Sequence, residues 1–215
     1  MRILTALSRL ARQTRGISLV EFGLLAPIFI SAIFAALEMS QYIVANQRMQ
    51  RIAANMGDLV AQSGTAAIGA SETQMNDILR SMHSAAKPFD LKGRGRVIVT
   101  AVQGLKDTSA GNVIKNRKLW HRCDGITMPG QPNLLPGAPD TWINLPSGRT
   151  LVEGEVLIHA QLVYEFEPLT RTNFTSLWNP NGQIITRTAS FRPRSKTFTS
   201  ITPDGTAAKS SCPAT

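Results

Sequence analysis

The chain is predicted to be an α+β protein: a long N-terminal membrane-spanning helix, then a small domain with a second helix and an antiparallel β-sheet. Three observations carry that prediction. Ile17 to Leu37 is an apolar run whose only charge is Glu21. Apolar residues then continue at helical spacing to about Leu59. Finally, β-rich segments separated by turns follow one another without intervening helices, the pattern of an antiparallel rather than a parallel sheet.

The first helix is set by length and charge. At 1.5 Å per residue, residues 17–37 span roughly 31 Å, about one hydrocarbon core. Arg2, Arg9, Arg12 and Arg15 precede the run in a stretch without acids, whereas Glu38 and Asp58 balance Arg48 and Arg51 after it. The positive-inside bias therefore places residues 1–16 in the cytoplasm as a leader and residues 63–215 in the periplasm. Beyond the span, Tyr42, Ala45, Met49, Ile52, Met56 and Leu59 form a stripe, with Gln41, Asn46, Arg48, Gln50, Arg51, Asn55 and Asp58 on the other faces. One helix over 17–62 accounts for both parts. The stripe suits packing on the chain's own domain or on helices of other subunits.

A second helix opens at Ser71, with Glu72 and Gln74 behind it, and ends before Pro88. Its apolar positions are Ile78, Leu79 and Met82. Arg96–Gly104 and Asn112–Cys123 read as a hairpin across "LKDTSAG". Met128–Gly148 carries five prolines and reads as a long loop. Gly154–Pro168 is the strongest strand, and Gly182–Arg194 a final one suited to a half-buried sheet.

The totals exclude some functions. A hydrophobic content of 43% in 215 residues supports a real core. Without the four leader arginines the formal charge falls from +9 to +5. The rest is scattered apart from Arg187, Arg192, Arg194 and Lys196, and no aromatic-rich basic face accompanies it, so nucleic acid is not an expected partner. His83, His121 and His159 are isolated from one another, so no metal or other cofactor is expected. His121 and Cys123 share a strand face opposite Trp120 but lack an orienting third group. "GRGR" at 93–96 lacks the lysine and hydroxyl of a phosphate loop. Glu153, Glu155, Glu165 and Glu167 fall at solvent-facing strand positions and turn flanks. An enzyme is not expected.

Glu21 is the informative anomaly. A basic leader, an apolar stretch from Phe22 to Phe34 and the small residues Ala32, Ala35 and Ala36 also fit a cleaved secretory signal. An acid inside such a stretch costs on the order of 3 kcal/mol at the bilayer centre and less near its edge, so it points to a function. "GISLVEF", Gly16 to Phe22, resembles the processing site of type IV prepilins. That resemblance implies cleavage after Gly16 by a membrane aspartic peptidase, a commonly methylated new N-terminus at Ile17, and an assembly role for the acid at the fifth mature position, Glu21, beside Phe22. The charge then has a partner, because Glu21 of one subunit can pair with the Ile17 amine of its neighbour. Pro27 loosens the helix locally.

"LWHRC", "GEVLIHAQLVYEFEPL" and "TASFRPR", in that order after the processing site, resemble the TadE-like family of pilus assembly proteins, pseudopilins of the tight-adherence (Flp) pilus. TadF and TadG proteins share much of this layout. The resemblance implies a pilin-like fold and an inner-membrane minor pilin that helps to initiate or build an adhesive pilus. Its implied partners are prepilin peptidase, other pilin subunits, the assembly platform and the membrane. A periplasmic binding module that uses its N-terminus only for export or anchoring is the alternative. Cys123 and Cys212 both fall on the periplasmic side, where a disulfide is permitted. A bridge would close about ninety residues and add roughly 4 kcal/mol on the loop-entropy model, with two free thiols as the alternative.

Overall fold

The computed structural model describes residues 17–63, 70–128, 138–146, 148–168, 184–194, 198–205 and 212. Helix α1 runs through Ile17–Ser63, 47 residues without a break, and carries Pro27 inside it. One turn after the proline, Ser31 donates its hydroxyl to the Pro27 carbonyl at 2.7 Å. Helix α2, Glu72–Ala85, starts where its cap dictates: the Ser71 side chain accepts from the Gln74 N–H. It stops before Pro88. A single turn, α3, Leu91–Arg94, is capped by Asp90, which accepts from the Gly93 N–H at 2.9 Å.

Five strands follow: β1 Gly95–Asp107, β2 Val113–Gly125, β3 Trp142–Ile143, β4 Val156–Glu165 and β5 Ile184–Phe191. They form one sheet in the order β3-β2-β1-β4-β5, with every neighbouring pair antiparallel. The β1–β2 hairpin turns through Thr108–Ala110 and the left-handed residues Gly111 and Asn112. Asp107 anchors that turn by accepting from Ser109 and from the Lys115 ammonium at 2.9 Å. A bulge sets Trp120 opposite Ala101 but Lys118 opposite Val102, which leaves Leu119 as the extra residue. The proline-rich stretch is not loop throughout. Within it Trp142 and Ile143 add a short edge strand against Arg117 and Asn116, while 129–137 and 147 lie outside the described residues.

Period-two alternation divides the sheet into two faces. One presents Val97, Val99, Ala101, Ile158, Ala160, Leu162, Tyr164 and Ile185 to the helices, where α1 contributes Ala45, Met49, Ile52, Ala53, Met56 and Val60 and α2 contributes Met75, Leu79 and Met82. The other face carries Ile98, Thr100, Val102, Leu157, His159, Gln161 and Val163, and these are buried as well. β5, the final strand expected to suit a half-buried sheet, is mostly half-buried at the sheet edge, while β1 and β4 are central strands covered on both faces. Near-continuous apolar strings such as "EVLIHAQLVY" are what such strands require.

The chain's last described segment belongs to this core. Phe198 stacks on Trp120 with ring centroids 5.6 Å apart, and Ile201 is buried in the same cluster. Thr202 bridges to Ser71 at the entrance of α2. The Glu72–Arg122 ion pair and a His83–Asp124 hydrogen bond at 2.9 Å tie α2 to β2.

Candidate functional site: the N-terminal helix

Helix α1 has two regimes along one continuous backbone. From Val20 to Leu37 its large apolar side chains are bare, with Phe22 73% and Leu24 69% exposed. An 18-residue window with mean hydropathy 2.1 has none of its residues buried, so α1 has the length and composition of a single membrane span. Glu21 is exposed in the second turn of α1, next to Phe22. Ile17 opens the helix, and Gly16, with the rest of the leader, lies outside the described residues.

The second regime is welded to the sheet. Tyr42 meets Phe166 edge-on at 5.3 Å, and Asn46 accepts from the Arg187 guanidinium of β5. Arg48 donates to the carbonyls of Ala85 and Lys87, both at 3.0 Å, and Gln50 donates to the Thr188 carbonyl. Polar residues assigned to the outer faces thus flank the buried stripe and lash the helix to its neighbours. The stripe itself needs one correction. Leu59 is 44% exposed, and Val60, fully buried, takes its place because the core positions advance from Met56 by four.

Gly57 is the residue that pattern reading missed. A Cβ there would stand 2.7 Å from the Phe191 ring and 3.3 Å from the Ala160 methyl, so α1 approaches β4 and β5 as closely as only glycine permits. A glycine in a helix interior, which costs about 1 kcal/mol relative to alanine, was the available signal.

The cysteines meet. Cys123 on β2 and Cys212 have Cα atoms 5.0 Å apart, at disulfide distance across a sequence separation of 89. Cys123 and His121 do share a face, opposite Ile98 and Thr100, while Trp120 and Arg122 point to the helices. No group of three metal-ligating side chains occurs among the described residues. His83 is held by Asp124, and His159 Nδ1 lies 2.8 Å from the Ser190 hydroxyl. Of the four glutamates, Glu153 pairs with Lys106 and Glu167 with Arg94. Glu155 is not solvent-facing as expected, because its half-buried carboxylate holds Arg149 and Arg192.

Burial shapes the charges on the sheet face turned away from the helices. Desolvation lowers the Lys118 ammonium to about 8. It lowers the imidazoles of His121 and His159 too, and Lys118, Arg122 and Arg96 add to the effect on His121. At the hairpin, hydrogen bonds from Ser109 and Lys115 lower Asp107 to about 2 against a weaker opposing effect of burial.

Comparison with known proteins adds one finding at this helix. The family model described as TadE-like protein matches residues 16–57, from the glycine before α1 to Gly57. The sheet motifs lie beyond that match. No curated protein and no solved structure matches the chain.

Proposed function

From a TadE-like segment that begins at Gly16 and covers most of α1, we propose that the chain is a minor pilin or pseudopilin of a Tad/Flp-type adhesive pilus. It enters the inner membrane through residues 17–37, is cut after Gly16 by prepilin peptidase, and takes part in initiating or assembling the filament with other pilin subunits and the assembly platform. Its folded domain faces the periplasm, and no catalytic step is assigned to it. The observation that carries this reading is α1 itself: apolar and bare from Val20 to Leu37, with one acid, and continuous with a packed half.

Each part has a physical role. The bare half is soluble in lipid and equally able to pack against like helices when a subunit leaves the bilayer. Glu21 supplies direction, since an acid that is costly in lipid gains from the α-amine that cleavage creates on a neighbour's Ile17. The domain rides on the same helix and follows any movement of it.

Glu21→Gln tests the assignment because it keeps the shape and removes the charge. Mature protein in the membrane fraction should stay at its normal level while piliation is lost. Glu21→Asp, one methylene shorter, should give an intermediate defect. Normal piliation with Glu21→Gln at a normal protein level would remove the acid from the assembly contact. An export-only N-terminus predicts that outcome, since a neutral side chain is cheaper to bury.

A further inference from the structure

We infer that the base of the folded domain is a contact surface for anionic lipid headgroups, made by Lys87 and Lys92; this rests on the reading of α1 as a membrane span. The exposed apolar surface of α1 does not stop at Leu37 but continues through Met39 to Ile43 and Val44, 45% and 53% exposed. From Val20 to Val44 the helix rises about 36 Å, more than the roughly 30 Å of hydrocarbon, so its last exposed apolar turn lies at the lipid boundary. The domain begins just below that height, because Glu38 is already fully buried and Tyr42 meets Phe166, just past β4, edge-on.

The loop between α2 and β1 hangs at this level. Arg48, one helical turn beyond Val44, holds the carbonyls of Ala85 and Lys87. Phe89 packs on Tyr164 at 6.1 Å. A groove of about 810 Å³ opens here, lined by Lys87, Pro88, Phe89, Asp90 and Lys92 with His83 behind them. Lys87 and Lys92 are exposed and have no side-chain partner among the described residues. The nearby carboxylates are engaged, Asp90 by the Gly93 N–H, Glu167 by Arg94 and Asp124 by His83. Glu165 alternates with Tyr164 and so projects from the sheet face away from the helices. The helix side of the base therefore offers two free ammonium groups, within lysine reach of the headgroup layer, above an apolar helix that fixes their height.

The test uses the full-length chain in nanodiscs of phosphatidylcholine alone or mixed with phosphatidylglycerol, with amide hydrogen exchange read over residues 86–94. Exchange should slow in the anionic discs by about fivefold per lysine at low ionic strength, and the difference should collapse in high salt. Lys87→Gln and Lys92→Gln should each remove part of the slowing, and the double variant all of it. Equal exchange in both lipids, or slowing that persists in the double variant, would overturn the contact while leaving the anchor intact. A chain that elutes free of the discs would overturn the anchor as well.

Discussion

His121 and His159 flank Thr100 from the neighbouring strands, on the sheet face that carries Lys118 and Arg96. Neither imidazole gains a counter-ion among the described residues, and burial lowers both from their ordinary 6.5. The unfolded chain then binds protons before the folded one as pH falls. Stability is fully present above 6.5 and is lost as pH drops from there to the lowered folded values. Lys118, lowered to about 8 from 10.5, acts with the same sign in the alkaline range, where the unfolded chain holds the extra proton. The melting temperature of the full-length protein in detergent should therefore rise from pH 5 to pH 8, and the double variant His121→Gln, His159→Gln should flatten the acid limb. A melting temperature that falls over this interval in the unsubstituted protein would contradict the assignment.

At the level of elements, α1 is bare and apolar along one half and packed on the sheet along the other, and Gly57 shows how tightly the second half is seated. Gly57→Ala gains helix propensity but drives a methyl into the Phe191 ring, and Gly57→Val adds bulk against Ala160. Overpacking of this kind costs about 1 to 3 kcal/mol. Thermal unfolding of the full-length protein should show a small loss for alanine and a clear loss for valine, and Phe191→Leu should restore part of the latter. Valine tolerated without loss would mean that the helix is not seated here as described. The two helices and the hairpin were legible in the sequence because their signals are local: the Ser71 cap, Pro88, the apolar stripe and the turn between two β-rich runs. The Gly57 seat was not legible, since it depends on a side chain from β5 far along the chain. Leu59 was misplaced for a related reason. A spacing of three and a spacing of four are equally helical, and only the curvature of the core over Met56 and Val60 selects between them.

For the whole molecule, the last described segment closes what the first helix opens. Thr202 bridges to Ser71, Phe198 covers Trp120, and Cys212 reaches Cys123 on the opposite sheet face, so the C-terminal end touches both sides of the sheet. The disulfide-distance cysteine pair was legible as a possibility from topology, whereas burial of the second face was not. Thr100, His159 and Gln161 are polar types that only the central position of β1 and β4 turns inward, and Lys118 is buried on β2 between β1 and the short β3. The TadE-like stretch that starts at Gly16 was legible because its signal is a short linear run, and cleavage after Gly16 is the proposal built on it. It is also where the account is most exposed. Mass spectrometry of the N-terminal peptide of membrane-purified protein tests it directly. The account predicts a mature chain that begins at Ile17, and an uncut chain when Gly16 is replaced by a bulky residue. A native chain that still begins at Met1, or that begins just before Glu38, would contradict it.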